Sequence, residues 1–212
     1  MIVSVLSQKG GPGKSTLARG LAVEFLKQDW DVHVADMDTT QLTTLKWAER
    51  RDAIDVDPSV DVASYRNPQS ALRSANRCDL LVVDGTPYAT QASKDLAKGS
   101  DLIIIPTGVT LDDLEPQLNL AQEMVTRAGI DKKRILFVVM KVNENGDKEA
   151  MSTRSSIEEW GFSVVKGWMP ARTAYGSALD AGYSMTETRF KTLNDKAQSI
   201  LDGITAKIGE LQ

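Results

Sequence analysis

Lys9-Gly10-Gly11-Pro12-Gly13-Lys14-Ser15-Thr16 stands between an apolar run, Ile2 to Leu6, and a segment from about Ser15 to Gln28 that repeats Leu17, Leu21 and Phe25 on one helical face. A strand that feeds a glycine-rich turn and then a helix has a specific physical use. The glycines let backbone N–H groups converge on phosphate oxygens, and the helix N-terminus adds its positive end. Lys14 then supplies a point charge to the β- and γ-phosphates, Ser15 is placed to coordinate Mg²⁺, and Gly10, Gly11, Pro12, Gly13 and Thr16 complete the cradle. The spacing KGGxGK[ST] arises by chance in a chain of this length with odds on the order of 10⁻⁵. A merely structural glycine turn does not account for it.

Outward from this turn, strand and helix patterns alternate. Strands are expected at Ile2 to Leu6, Val32 to Ala35, Val60 to Ala63, Leu80 to Val83, Leu102 to Ile105, Arg134 to Met140 and Ser163 to Trp168. Helices are expected from Ser15, then through Trp47 and Arg51, at Pro68 to Ala75, Thr90 to Lys98, Leu114 to Ala128, Asp147 to Trp160, Thr173 to Ala181 and Arg189 to Gly209. Leu80 to Val83 and Leu102 to Ile105 are apolar on both faces, as central parallel strands covered by helices must be. The fold class that follows is α/β: a doubly wound, mainly parallel sheet flanked by helices, one domain over residues 1–212. Ligands of such sheets sit at the carboxyl ends of the strands. Gln8 to Ser15, Asp36 and Asp38, and Asp84 all fall at such ends.

The 212 residues, 42% of them hydrophobic, suffice for one sizeable core. The apolar stretches are only a few residues long, far below the roughly 20 that cross a bilayer, and the segment after Met1 lacks the layout of a secretory signal. A cytoplasmic location is expected, and the lone Cys78 agrees with a reducing compartment. His33, the one histidine, reads as a strand side chain, which argues against a histidine-based triad. Net charge is −4 and the pI about 5.1, so any nucleic-acid binding must come from a local patch.

An ordinary Walker A loop has glycine where this chain has Gln8, and here Lys9 follows directly. That departure resembles the deviant Walker A loop of the ParA/MinD family of ATPases. The resemblance implies a sandwich dimer in which Lys9 reaches the partner subunit's nucleotide. Val34-Ala35-Asp36-Met37-Asp38 is similar to the family's second motif, although Thr39-Thr40-Gln41 replaces its usual Pro-Gln. By that match Asp38 orients the attacking water and Asp36 lies near Mg²⁺ and the phosphates. Leu80-Leu81-Val82-Val83-Asp84 is a Walker B-like strand whose carboxylate is expected to hold Mg²⁺ through water, with Gly85 to Pro87 as a γ-phosphate-sensing turn.

Further pieces extend the likeness over almost the whole chain. Asp101 to Pro106, followed by Leu111-Asp112-Asp113-Leu114, resembles the family's next strand and loop. Asn143 and the segment from Pro170 to Tyr175 resemble its adenine-proximal positions. The resemblance further implies ATP/ADP and Mg²⁺ as ligands, an ATP-dependent homodimer, and non-specific binding to nucleoid DNA, for which Arg172, Arg189, Lys191 and Lys196 are candidates. Lys132-Lys133-Arg134 reads instead as a helix-end cluster. A ParB-like centromere-binding or cargo adaptor protein is the expected partner. No N-terminal extension able to hold a helix-turn-helix is seen, which resembles the compact plasmid-partition members. The C-terminal segment, with one cation after Ala206, does not read as a membrane-targeting helix. The cargo stays open between a plasmid and a protein assembly such as a carboxysome or chemoreceptor cluster. Rival readings are a metabolic ligase of the same superfamily, which would need a small-acid pocket, and a non-hydrolysing scaffold, which Asp38 and Asp84 disfavour.

Overall fold

The computed structural model describes residues 1–86 and 91–211. Seven strands, β1 (Ile2–Val5), β2 (Val32–Asp36), β3 (Asp61–Ser64), β4 (Leu80–Asp84), β5 (Leu102–Thr107), β6 (Ile135–Val142) and β7 (Ser163–Pro170), form one sheet in the order β3-β2-β4-β1-β5-β6-β7. Every pairing is parallel. The helices are α1 (Lys14–Leu26), α2 (Thr43–Ala53), α3 (Pro68–Ser74), α4 (Gln91–Gly99), α5 (Leu111–Ala128), α6 (Asp147–Glu159), α7 (Thr173–Asp180) and α8 (Lys191–Leu211). The expected single-domain α/β architecture is the one observed.

Alternation along the strands explains why the sheet is covered on both faces. Val3, Val5, Leu80, Val82, Leu102 and Ile104 point to one side, against Leu17, Leu21 and Phe25 of α1 and Ile200, Leu201 and Ile204 of α8. Leu81, Val83, Ile103 and Ile105 point to the other, against α3 to α6 through Ala71, Leu96, Leu118 and Ile157. Each fully buried leucine or isoleucine contributes about 2 kcal/mol. A strand with apolar residues on both faces is stable only in the middle of such a sandwich. β1 lies between β4 and β5, so the chain reverses its winding there, and the crevice above its carboxyl end is the natural ligand site.

Most element ends shift by a residue or two from their expected positions. α5 starts at Leu111 rather than Leu114, because Thr110 Oγ1 accepts the Asp113 N–H and caps the helix there. Arg134 belongs to a short 3₁₀ turn with Lys132 and Lys133, and β6 begins one residue later. Two of those cations are structural: Lys132 donates to the Trp160 carbonyl at 2.8 Å, and Arg134 donates to the Ser100 carbonyl. His33 is a strand side chain as expected, with Nδ1 2.6 Å from Asp61 Oδ2 and Nε2 2.9 Å from Tyr65 Oη. Pro87 of the expected sensing turn and Thr90 of the expected helix start lie outside the described residues. No helix among the described residues is long and apolar enough to cross a membrane.

One buried charge pair ties the segment before α8 to α2. The fully buried Arg51 reaches Glu187 at 2.7 Å and also donates to the carbonyls of Asp57, Pro58 and Gly182. Burial pushes the Glu187 carboxyl up, but hydrogen bonds from Arg51, Lys27 and the Ser184 N–H outweigh it and hold the group at about 2, against 4.5 ordinarily. Its folded pKa is thus depressed, so the stabilisation is present above pH 4.5 and is lost as pH falls toward 2. Glu187→Ala is expected to cost about 3 kcal/mol at neutral pH by stranding Arg51. Urea unfolding of wild type and variant should converge as the pH is lowered through that window.

Candidate functional site

The turn after β1 takes its shape from two left-handed glycines, Gly11 at φ 84° and Gly13 at φ 111°. At Gly13 a Cβ would come within 2.7 Å of the Met140 side chain, so both the dihedral and the packing require glycine. Gly13 is also the N-cap of α1. No side chain caps that helix, and its first turn holds no acidic residue, so its N–H groups and positive dipole end are left to an anion. Pro12, Ser15 and Thr16 are partly exposed around this opening, and Gly10 and Gly11 are exposed.

The two lysines of the turn point to different places. Lys14 is buried and folds back on its own loop, donating to Ser7 Oγ at 2.9 Å and to the Lys9 carbonyl at 3.3 Å. Burial lowers its pKa, and the nearby Asp84 and Asp38 only partly restore it. Lys9 is at the rim, its side chain 42% exposed, 3.8 Å from Asp113 Oδ1 at the start of α5.

Ser15, Lys14, Asp38, Asp84 and the exposed Gly10 and Gly11 line one cavity of about 210 Å³ together with Gln41, Thr43 and Gly85. Asp84 is buried; Thr44 Oγ1 donates to its Oδ2 at 2.6 Å, while Oδ1 has no hydrogen-bond partner among the described residues. Burial pushes this carboxyl up, opposed by the hydroxyls of Thr44 and Ser15. A desolvated lysine, an uncapped helix end and a half-satisfied buried carboxylate are together what a phosphate with its bound cation would satisfy. The residues present fit both groups.

Asp36 and Asp38 divide the work of the second motif. Asp36 is fully buried, and its carboxylate accepts N–H groups from Asp38 (3.0 Å), Thr44 (3.0 Å) and Leu45 (3.1 Å). It therefore anchors both the Asp38 loop and the first turn of α2. Direct coordination of a cation would compete with two N–H donors of that helix for their acceptor. Asp38 turns the loop by accepting from Thr40 and Gln41, and its side chain stays at the cavity.

On the other side of the glycine turn, Asn143 lines a cavity of about 280 Å³ with Lys9 to Pro12, Met140 and Lys141. Val142 pairs with Pro170, and the Ala171 N–H donates to the Val142 carbonyl at 2.7 Å, so Asn143 and Pro170 sit side by side at the ends of β6 and β7. The cationic candidates are exposed but mostly engaged. Arg172 is 3.1 Å from Glu144, Arg189 lies 4.7 Å over the Phe190 ring, and Lys191 pairs with Asp195 at 2.8 Å. Lys196 is exposed on α8. A larger cavity, about 690 Å³ between α7 and residues 181–190, holds Arg189 but none of the residues around Asp84.

Residues 3–185 match the family model described as the CobQ/CobB/MinD/ParA nucleotide binding domain. The chain belongs to this family. Within it, the chain is similar to the maintenance of carboxysome distribution protein A of Gloeobacter kilaueensis, with 27% identity over 92% of this chain and 88% of that protein. It is also similar to the protein ParA of Rhizobium radiobacter, 25% identical over 91% of this chain and 88% of the relative. In fold it matches the septum site-determining protein MinD of Pyrococcus horikoshii, solved with Mg-ADP, at TM-score 0.76 and 14% identity over 100% of this chain and 98% of that one. This is therefore a nucleotide-binding ATPase domain of the ParA/MinD type.

Four contacts carry no sign in the local sequence. Gln117 of α5, almost fully buried, accepts the Gln8 N–H at 2.9 Å and so fixes the start of the loop. Lys141, itself left-handed at φ 59°, donates to the Gly11 carbonyl at 2.5 Å. Thr44 reaches Asp84 from behind, and Arg19 in turn donates to Thr44 Oγ1. None carries a local signal, because each depends on which strands are neighbours. Lys14→Ala is expected to weaken ATP binding by about 10- to 100-fold, the loss of a charge-assisted phosphate contact. Fluorescent-nucleotide titration checks this, and near wild-type affinity would refute the loop assignment.

Proposed function

We propose that the chain is an ATP-driven dimerisation switch that hydrolyses ATP to ADP and phosphate, binds DNA without sequence preference in its ATP-bound dimer, and positions a large cargo. The observation that carries this reading is the opposed orientation of the two lysines, Lys14 folded inward and Lys9 exposed at the rim five residues away. A single buried lysine suffices to hold phosphate within one subunit. The second, outward one is suited to a nucleotide held by another copy, where a cation in trans both joins the subunits and offsets charge in the transition state, as an arginine finger does.

In this cycle Lys14 and the N–H groups of α1 bind the β- and γ-phosphates. Ser15 and Asp84 would hold Mg²⁺, Asp84 through water, and when bound the ion offsets the phosphate charge. Asp38, turned to the cavity by its own loop, orients the attacking water. Asn143 and Pro170 border the adenine. Arg172, Arg189, Lys191 and Lys196 are the proposed DNA contacts; a dimer doubles each of them, which gives steeply salt-dependent binding despite the acidic whole. On nucleoid DNA such a dimer would be released when a partner on the cargo stimulates hydrolysis.

Two cargoes are compatible with this switch. The resemblance to compact partition ATPases favours a plasmid with a ParB-like centromere-binding protein, and the Gloeobacter relative, named for carboxysome distribution, favours a protein assembly with a cargo adaptor. We favour the plasmid.

Sedimentation velocity with ATP and Mg²⁺ tests the switch. Asp38→Ala is expected to accumulate dimer, and Lys9→Ala to remain monomeric while still binding nucleotide through Lys14. Monomers only for Asp38→Ala would contradict its hydrolytic role. Retention on a DNA column should require ATP and fall with added salt, whereas equal retention with ADP would remove the switch.

A further inference from the structure

Thr44 is fully buried and is the crossing point of three elements. Its N–H donates to Asp36 at the end of β2 (3.0 Å), and its Oγ1 lies 2.6 Å from Asp84 Oδ2 at the end of β4. Arg19 Nε, from the second turn of α1, is 3.0 Å from Thr44 Oγ1. The direction of the protons is not free. A guanidinium has donors only, so Thr44 Oγ1 accepts from Arg19 and its single hydrogen goes to Asp84. Arg19 is itself held in place, buried with its guanidinium 5.5 Å over the Trp47 ring.

The result is an asymmetric carboxylate. Oδ2 is tied down from behind, while Oδ1 has no hydrogen-bond partner among the described residues, on a side chain that lines the cavity of Lys14, Ser15 and Asp38. We infer that Thr44 is a positioning residue for the cation site: it holds Asp84 in the orientation that leaves Oδ1 to the cation's water, and Arg19 locks the hydroxyl in its donating sense. Because Asp36 binds both the Thr44 and Asp38 N–H groups, the same residue mechanically joins the Asp38 loop to Asp84. Outer partners of this kind are commonly worth 10- to 100-fold in metal affinity. The inference rests on the nucleotide reading above.

The test is the Mg²⁺ dependence of fluorescent ADP binding, titrated in EDTA and in Mg²⁺. Thr44→Val keeps the shape and removes both hydroxyl bonds. Its affinity in EDTA should match wild type, while the Mg²⁺ concentration needed for half-maximal enhancement rises about tenfold. Thr44→Ser should restore the wild-type value, which a purely packing role would not predict. Arg19→Met, which keeps a stem against Trp47 but frees the hydroxyl to rotate, should show a smaller shift in the same direction. It decides the matter if Thr44→Val does not fold. An unchanged Mg²⁺ dependence in either folded variant overturns the inference. If wild type itself binds no nucleotide, or binds it with no Mg²⁺ enhancement, the nucleotide reading fails and takes this inference with it.

Discussion

Burial of Lys14 and Asp84 at the carboxyl ends of the central strands is the constraint on which the rest of the site depends. An amine and a carboxylate removed from water each lose hydration that must be replaced. Here the replacement is incomplete among the described residues: Lys14 has two oxygen partners from its own loop, and Asp84 keeps one oxygen without a donor. The uncapped start of α1 adds a third polar group of the same kind. A packed fold tolerates such groups where a ligand satisfies them, and a phosphate with a bound cation has the two charges required.

The parallel sheet makes this arrangement possible. With β4 and β5 on either side of β1, the loops after β1, β2 and β4 all end on one crevice, and helices that run back along both faces exclude water from beneath it. The polar contacts then work in layers. Asp36 fixes the first turn of α2, and Thr44 in that turn fixes Asp84. Arg19, in the second turn of α1, closes the ring from the helix whose start faces the phosphates.

How much of this could be read from the sequence follows from range. The strands were legible because Leu81, Ile103 and their neighbours are apolar on both faces, and the glycine turn because Gly13 and Lys14 act through neighbouring backbone. Element ends were less so: Thr110 capping α5 three residues early is a choice among several hydroxyls. Asp36 was placed near the site by motif, but its role as the anchor of α2 emerged only when residues eight and nine positions on were seen to return to it. Gln117, Lys141 and Arg19 are invisible to any local reading, since their partners are 109, 130 and 25 residues away.

A crystal structure with Mg²⁺ and a non-hydrolysable ATP analogue tests the central claim most directly. The account predicts the β- and γ-phosphates at the start of α1 against Lys14, the cation's water on Asp84 Oδ1, and Lys9 released from Asp113 onto the nucleotide of a second copy. Nucleotide bound away from the glycine turn, or Lys9 still paired with Asp113 in a monomer, would contradict it.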